Sequence, residues 1–321
     1  MSDPLAAQLP FTLQSTHLDA LGTRYEGKVR DVYRCKDRLI LIASDRLSAF
    51  DRVLTTIPFK GEVLNRLAQF WFDKTAHIIP NHILDVPDAN VTVARACEPF
   101  RIEMVVRGYL TGSLWRDFQR GAHGAYGLSI APGMKKDEPF EQPLLTPSTK
   151  ARVGEHDAPL SPADVVSQGL ASARDWQRLS EVALALFGEG QRWARSRGLI
   201  LVDTKYEFGR VGDVLYAIDE MHTPDSSRYW QADGYATRLA AGEEQRMLDK
   251  ENVRQWLIRE RNFSGHGEAP TLPDDLRVNT ARTYLAAYEQ ITGAPLVLTV
   301  GDVQQRLVTA LRARGYLPES P

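Results

Sequence analysis

Residues 199–230 read LILVDTKYEFGRVGDVLYAIDEMHTPDSSRYW, two β-rich runs separated by Gly212-Asp213. A Gly-Asp pair between two such runs is a hairpin signal. The first run begins with apolar residues and then places charged side chains at alternating positions, namely Asp203, Lys205 and Glu207. Because successive side chains of a strand point to opposite faces, these three side chains are predicted to share one face.

The second run ends in Asp219 and Glu220, so carboxylates and a lysine gather at the open end of the predicted hairpin. Mg²⁺ takes one or two carboxylates and completes its shell with phosphate oxygens and water. The pattern therefore favours a divalent cation that holds a polyphosphate. A solvated charged face is the alternative, since antiparallel sheets often have one, but the apolar start of the first run favours a site.

The register of this hairpin decides whether the carboxylates can meet. A two-residue turn at Gly212-Asp213 would put Glu207 opposite Ile218 and project Asp219 from the other face. A three-residue loop or a bulge would place Glu207 opposite Asp219, close enough to share one ion. We predict the bulged register, because the proposed metal site needs both carboxylates on one face.

Composition excludes several classes of function. The length of 321 residues suggests two lobes of ordinary size, and a net charge of −2 provides no global field to attract nucleic acid or a membrane surface. The two cysteines, Cys35 and Cys97, have no metal-type spacing, which indicates a reduced, cytoplasmic protein. The sequence shows neither a signal-peptide pattern nor a window of transmembrane length.

Periodicity and turn signals predict the remaining elements. A strand hairpin at 23–43, a polar loop at 44–51 and a helix at 60–75 are followed by two β-rich runs in 91–110, joined by a hinge at Glu98-Pro99. A long stretch at 121–172, rich in Gly, Pro, Ser and Asp, is predicted to be a loop that covers substrate. Further helices are predicted at 175–197, 244–261, 273–292 and 301–314.

Two groups of cations could bind anions. Lys28 and Arg30 alternate after Gly27, which suits a strand that covers nucleotide phosphates, although a basic edge strand that discourages aggregation is the commoner explanation. Arg107, Ser113 and Arg228 form a second candidate set, because arginine grips phosphate in bidentate fashion and Ser113 stands near the start of a short helix. Surface salt bridges are the alternative for single arginines, and spacing alone does not bring Arg228 to the other two.

Common catalytic motifs are missing from the sequence. His156 beside Asp157 could act as a general base, but a histidine without a recognised nucleophile is more often structural. The GxSxG elbow, the HExxH helix and the Rossmann glycine fingerprint are not present, which removes the commonest hydrolase, metalloprotease and dehydrogenase interpretations.

Seven ordered motifs together resemble one family. They are GKVRDVY at 27, SDRLSAFD at 44, KGEVLNRL at 60, EMVVRGYLTGS at 103, TPSTKARVGEHD at 146, LILVDTKYEFG at 199 and DEMHTPDSSRYW at 219. In this order, over about residues 20–300, they are similar to phosphoribosylaminoimidazole-succinocarboxamide synthase, also called SAICAR synthetase, in its longer, yeast-like branch.

The resemblance implies an ATP-dependent ligase with Mg²⁺. It would join L-aspartate to the carboxylate of carboxyaminoimidazole ribonucleotide through an acyl phosphate, giving SAICAR, ADP and phosphate in purine biosynthesis. The implied fold is α+β with two lobes, similar to SAICAR synthase and ATP-grasp proteins. An antiparallel N-terminal lobe at 16–98 would cover ATP, and a larger α/β lobe at 99–321 would hold metal and substrates. The expected partners are these small molecules, and the chain is expected to be monomeric.

The resemblance also implies roles for individual residues. Lys28, Asp203 and Lys205 match catalytic positions, and Glu207 and Asp219 match the metal ligands. The expected ATP-binding set is Gly27, Lys28, Arg30, Glu98, Glu207 and Asp219. The expected substrate-binding set is Ser48, Asp51, Arg107, Ser113, Lys150, His156, Asp157 and Arg228.

Two other classes of function remain open at this point. A small-molecule kinase would keep Lys28, Glu207 and Asp219 but would not need an aspartate pocket, so it would turn over ATP without aspartate. A nucleotide-binding module without activity would be expected to have lost its metal ligands, yet both carboxylates are present.

Overall fold

The computed structural model describes residues 3–50, 52–150, 158–248, 251–263, 265 and 267–319, with only the backbone described at 251, 252 and 254. The chain divides into two compact units. Unit 1 comprises Met1–Phe70, His82–Ala96 and Asp249–Pro321, and unit 2 comprises Trp71–Asn81 and Cys97–Leu248. Over the described ranges, no helix combines the length and the apolar character that crossing a membrane requires.

The described residues form helices and antiparallel sheets, which confirms the predicted α+β class. The helices are α1 (Pro4–Gln8), α2 (Lys60–Lys74), α3 (Gly112–Gln119), α4 (Pro162–Ser167), α5 (Ala173–Ser196), α6 (Tyr235–Ala241), α7 (Glu251–Arg261), α8 (Asp274–Thr292) and α9 (Val303–Ala313). The strands are β1 (Thr23–Glu26), β2 (Arg30–Cys35), β3 (Arg38–Ala43), β4 (Arg46–Ala49), β5 (Arg52–Thr56), β6 (Ile83–Asp88), β7 (Val91–Arg95), β8 (Glu98–Pro99), β9 (Ile102–Tyr109), β10 (Pro139–Leu145), β11 (Ser148–Thr149), β12 (Leu199–Val211), β13 (Val214–Ile218) and β14 (Ser227–Gln231).

Unit 1 is built on a five-stranded antiparallel sheet in the order β1-β2-β3-β7-β6, with β4 and β5 as a separate pair. Helix α9 packs its apolar side chains into the same core as this sheet, and Arg306 of α9 binds Asp88 at 2.9 Å. Residues 249–321 therefore belong with the N-terminal strands. The predicted lobes at 16–98 and 99–321 stay a prediction; they do not anticipate this return of the chain, which depends on packing between distant residues.

Most of the predicted helices are confirmed. Helices α2, α5, α8 and α9 match the expected ranges within two residues at each end, while α7 begins seven residues later than predicted. The predicted polar loop at 44–51 is wrong in its central part, because residues 46–49 form β4 and Arg46 is buried there. The polar appearance of that segment reflects a charged side chain used inside the protein.

Strand β12 is the central strand of the sheet in unit 2. Its thirteen residues pair with β9, β14, β8 and β13, all in antiparallel fashion. Its first half is buried, which agrees with the apolar run that begins at Leu199. Because four strands meet along β12, its side chains lie beside residues from distant parts of the sequence.

Helix α5 packs against this sheet through its apolar face. Ser172 caps its N-terminus by accepting a hydrogen bond from the backbone amide of Asp175 at 3.0 Å, which begins the helix two residues earlier than predicted. A β-carbon added at Gly190 would lie 2.5 Å from His222 Cε1 and 2.6 Å from Leu201 Cδ2. The glycine is therefore needed for the close approach of α5 to its neighbours.

The region predicted as a covering loop at 121–172 is more regular than expected. Strand β10 joins the sheet beside β9, β11 also pairs with β9, and α4 begins with a capping box formed by Ser161 and Asp164. The apolar and polar residues of β10 do not alternate regularly, and its pairing with β9 is interrupted by a bulge. This irregularity explains why no strand was predicted here.

Candidate active site

The three charged side chains of β12 share one face, as predicted. Lys205 Nζ lies 3.7 Å from Glu207 Oε1, and both residues belong to the buried or half-buried part of the strand. Asp203 lies directly across from Arg107 on β9 and from Arg228 on β14. The alternation read from the sequence therefore produces a row of charges at the centre of the sheet.

The predicted bulge in the β12–β13 hairpin is wrong. Val211 pairs with Val214 and Glu207 pairs with Ile218 in an uninterrupted register, so the turn has only two residues. Gly212 occupies the first central position with φ of 57°, which is where a type II′ turn places glycine. The common two-residue turn therefore replaces the bulge that we expected.

In this register, a regular strand would project Asp219 from the face opposite Glu207. The backbone conformation of Asp219 avoids this. Asp219 directly follows β13 and has φ of 66°, the left-handed conformation that aspartate tolerates better than most residues. This conformation interrupts the alternation of the strand, so the side chain need not project from the opposite face. The charge of Asp219 acts on Glu207, Lys150 and Lys205, which places it at the same cluster.

Glu207 is a buried carboxylate held among two lysines and a second acid. Burial raises its pKa, and the nearby Asp219 raises it further, while Lys150 and Lys205 oppose the shift. Lys150 donates a short hydrogen bond to Glu207 Oε2. A buried carboxylate whose pKa is raised by a second carboxylate marks a site where an added cation would be stabilised.

Both lysines of this cluster are held in the charged form. Burial lowers the pKa of Lys205, but Glu103, 2.6 Å away, together with Glu207 and Asp219 outweighs burial and raises it above the ordinary value. Burial also lowers the pKa of Lys150, but the charge of Glu207 outweighs burial and raises this pKa above its ordinary value. Neither lysine is therefore suited to remove a proton at neutral pH, and both present positive charge at this cluster.

A second cluster lies at the other end of the charged row. Asp203 Oδ2 is 3.3 Å from Nη1 of Arg107 and 3.3 Å from Nη1 of Arg228. Arg107 also donates to Ser113 Oγ at 3.2 Å and to Thr146 Oγ1 at 2.8 Å. Burial lowers the pKa of Arg107, and Asp203 opposes this shift. The structure thus brings together the three predicted anion-binding residues, including Arg228.

The start of helix α3 completes this second cluster. A β-carbon at Gly112 would lie 2.4 Å from Nη1 of Arg228, so only glycine lets the guanidinium group rest against the backbone here. Ser113 is the second residue of α3, where free backbone amides favour an anion. Two arginines, a hydroxyl and a helix N-terminus are the groups that bind phosphate in proteins.

A family model described as SAICAR synthetase matches residues 23–269. The chain belongs to the SAICAR synthetase family. It is 43% identical over 307 residues to the phosphoribosylaminoimidazole-succinocarboxamide synthase of Legionella pneumophila strain Lens, covering 94% of this chain and 97% of that protein. The corresponding protein of Cytophaga hutchinsonii is 48% identical over 272 residues, covering 84% of this chain and 87% of that protein.

Solved structures of SAICAR synthetases have the same fold. The SAICAR synthase from Saccharomyces cerevisiae, complexed with SAICAR, aligns with a TM-score of 0.78 at 30% identity, covering 89% of this chain and all of that chain. A type 2 SAICAR synthetase in complex with ADP aligns with a TM-score of 0.65 at 22% identity, covering 86% of this chain and all of that chain, which supports the fold alone. The predicted family and fold are confirmed.

Strand β9 contributes a residue to the lysine cluster that we did not predict. Glu103 lies four residues before Arg107, so both side chains leave the same face of β9, and Glu103 binds Lys205. The alternation of β9 could have revealed it. Thr146, which binds Arg107, follows β10 directly, and no local pattern marks it.

The remaining predicted residues lie elsewhere in the SAICAR synthetase fold. In unit 1, Gly27 and Lys28 form the turn between β1 and β2, and Arg30 begins β2. Ser48 lies on β4, opposite Val53. In unit 2, the side chain of Glu98 is exposed on β8 and binds Arg210 at 3.1 Å. Three further predicted residues, Asp51, His156 and Asp157, lie outside the described residues.

Proposed function

We propose that this chain joins L-aspartate to the carboxylate of 5-amino-1-(5-phospho-D-ribosyl)imidazole-4-carboxylate, with ATP as the energy source, giving SAICAR, ADP and phosphate in de novo purine biosynthesis. Membership of the SAICAR synthetase family supports this ligase activity. The yeast relative whose structure is complexed with SAICAR supports the identity of the product.

The observation that carries the proposal is the arrangement of two different charge clusters on one strand. Asp203 with its two arginines lies four residues from Glu207 with its two lysines, about 13 Å along an extended strand. The arginine end suits the phosphate of the ribonucleotide. The lysine end suits the carboxylate that reacts and the phosphoryl group that it receives.

The proposed reaction has two steps. A carboxylate oxygen of the ribonucleotide attacks the γ-phosphorus of ATP, the bond from that phosphorus to the bridging oxygen breaks, and ADP leaves. The amine nitrogen of aspartate then attacks the acyl carbon, the phosphate leaves and the nitrogen loses a proton. The cationic Lys150 and Lys205 would stabilise negative charge on the transferred phosphoryl group, and their positions would hold the reactants in place.

The carboxylate pair fits a magnesium ion, although among the described residues no group of three or more His, Cys, Asp or Glu side chains forms a metal cluster. Glu207 and Asp219 would supply two carboxylate ligands to the ion, and phosphates and water would supply the rest. Bound Mg²⁺ would neutralise charge on the phosphates of ATP. The charge of Asp219 raises the pKa of Glu207, which supports a place suited to a cation between the two carboxylates.

Further roles complete the proposal. Gly27, Lys28 and Arg30 would cover the phosphates of ATP, and the segment at Glu98 would lie near the adenine, in keeping with an ATP-covering lobe at 16–98. Ser48 and Asp51 would contribute to substrate binding from the lobe at 16–98, and Lys150, His156 and Asp157 from the lobe at 99–321. The cytoplasmic location and the monomeric state stay predictions; both can be measured by cell fractionation and by size-exclusion chromatography with light scattering.

A substrate-omission assay tests the ligase against the kinase alternative. ADP release and formation of the carbon-nitrogen bond are followed with all three substrates and with ATP, ribonucleotide or aspartate left out in turn. We expect sustained ADP release only with all three, and a product that contains aspartate. Sustained ADP release at the full rate without aspartate would overturn the ligase proposal and favour a kinase.

A further inference from the structure

The turn between β1 and β2 presents three consecutive carbonyl groups to the same buried region of unit 1. Arg46 donates from Nη2 to the Gly27 carbonyl at 2.8 Å and from Nε to the Lys28 carbonyl at 3.3 Å. Ser44 donates to the Val29 carbonyl twice, from its amide at 3.0 Å and from its hydroxyl at 2.9 Å. Each of the three carbonyl groups of the turn therefore accepts at least one hydrogen bond from Arg46 or Ser44.

Arg46 is itself held in place. Its side chain is 1% exposed, and Nη2 lies 2.9 Å from Asp31 Oδ1 in a pair that is equally buried. Asp31 accepts two more hydrogen bonds on its other oxygen, from the amide of Thr16 at 2.6 Å and from the Thr16 hydroxyl at 2.8 Å. A fourth acceptor of Arg46 is the carbonyl of Gln14.

This arrangement uses a property that only arginine has. The planar guanidinium group carries five N–H donors in a fixed fork, so one side chain can reach carbonyls of Gln14, Gly27 and Lys28 and the carboxylate of Asp31 at once. Lysine offers a compact ammonium group on a flexible stem, which cannot reach all four. A buried guanidinium group with this many backbone partners fixes the shape of the segment that it binds.

We infer that Arg46 is a positioning residue for ATP binding: it sets the conformation of the Gly27–Arg30 turn, so that the turn presents Lys28 in one arrangement. The inference rests on the proposed role of this turn in covering ATP phosphates. Gly27 contributes by closing the turn with a hydrogen bond from its amide to the Arg30 carbonyl at 2.8 Å. Arg46 thus acts through Lys28 and does not itself touch the nucleotide.

A double-mutant cycle tests this inference. The variants Arg46→Lys, Lys28→Ala and the double variant are compared by kcat and by KM for ATP. Arg46→Lys loses hydrogen bonds between the guanidinium group and the turn. We therefore expect KM for ATP to rise about tenfold or more in this variant, with a smaller change in kcat. If Arg46 acts through Lys28, the double variant is no worse than Lys28→Ala alone.

Hydrogen exchange gives a second readout that does not depend on activity. Amide exchange of residues 27–30 is expected to become faster in Arg46→Lys, and thermal unfolding shows whether the variant is folded. Should Arg46→Lys fail to fold, Ser44→Ala replaces it in the cycle and is expected to act in the same direction, more weakly. Arg306→Lys is the matched control, since Arg306 binds Glu62, Asp88 and Asn90 and not the turn.

The possible failures are distinguishable. The inference would be overturned if the increases in KM for ATP caused by Arg46→Lys and Lys28→Ala multiplied in the double variant. Unchanged amide exchange of residues 27–30 in Arg46→Lys would also overturn it. Both outcomes would leave the proposed function intact. An unchanged KM for ATP in Lys28→Ala would overturn both the proposed ATP role of the turn and the inference that rests on it. If Arg306→Lys raised KM for ATP as much as Arg46→Lys does, Arg46 would only stabilise the fold in general. That result would also overturn the inference.

Discussion

Asp203 and Arg228 face each other across the β12–β14 pair, with 3.3 Å between Oδ2 and Nη1. The register shifts just before this pair, between Leu201 and Asp203, so a bulge on β12 determines which residue meets Arg228. Arg228 also rests on Gly112 at the start of α3. Strand register and close backbone approach thus assemble the proposed anion site, and its parts can be tested separately.

The arginines of this site are the first test. Arg107→Ala or Arg228→Ala is expected to raise KM for the ribonucleotide at least about tenfold, since removing a charged partner of a phosphate costs more than about 1.4 kcal/mol. KM for ATP should change much less. Arg192→Ala, which removes an exposed pair with Glu189 on α5, serves as control. An unchanged KM for the ribonucleotide in both variants would contradict the phosphate site.

The carboxylate at the end of β13 is the second test. Asp219→Asn is expected to lower turnover by at least about a hundredfold, because a charged metal ligand becomes neutral at nearly constant volume. Asparagine tolerates the left-handed backbone of this position as well as aspartate does, so the fold should be retained. Asp213→Asn in the nearby turn is the control. Near-normal turnover of Asp219→Asn in saturating magnesium would refute the assignment.

Gly188 and Gly190 of helix α5 form a matched pair for a stability test. Nothing lies within 4 Å of a β-carbon added at Gly188, so Gly188→Ala is expected to stabilise the protein by up to about 1 kcal/mol through helix propensity. Gly190→Ala would press on His222 and Leu201 and is expected to destabilise by about 1–3 kcal/mol. Urea unfolding of the two variants measures both effects. Equal free energies of unfolding would show that the contact at Gly190 is relaxed without cost.

His222 gives a prediction about acid stability. Burial lowers its pKa to about 3, and its ring packs edge-on against Trp71 at 4.5 Å. In the unfolded chain His222 binds a proton as pH falls below about 6.5, whereas in the folded protein it stays neutral until pH nears 3. Its contribution to the free energy of unfolding is therefore complete above pH 6.5 and is lost as pH falls towards 3. Between pH 7 and pH 5 we expect a loss of about 2 kcal/mol in the free energy of unfolding.

Removing the imidazole is the control for this acid effect. In His222→Gln the part of the pH dependence that His222 contributes should disappear, although the variant is less stable at pH 7 because the bond to Tyr206 and the ring packing change. Urea unfolding at pH 7 and pH 5 on both proteins gives the comparison. The same loss of stability in both would show that other groups cause the acid sensitivity.

Much of this site could be predicted from sequence because it depends on short-range rules. Strand alternation places Asp203, Lys205 and Glu207 on one face, and the structure keeps them there. The register of the hairpin could not be predicted in the same way. A left-handed residue at Asp219 solves the geometric problem as well as a bulge does, and the sequence does not distinguish the two.

Other features escaped prediction because they depend on packing between distant residues. The burial of Arg46 needs carbonyl acceptors from residues 14, 27 and 28, which no window around Arg46 shows. The placement of α9 needs a sheet that lies more than two hundred residues earlier in the sequence. Length and periodicity gave the helix correctly but could not show what it packs against.

The packing of α9 has a consequence for synthesis of the protein. The core beneath the first sheet includes Tyr33 and Ile42 from the start of the chain and Leu307 and Leu311 from its last helix. Most of unit 2 is one continuous segment between these strands and α9, so it can fold before α9 is synthesised. Strands β2 and β3 therefore keep part of their apolar surface uncovered until α9 has been synthesised and packs against them.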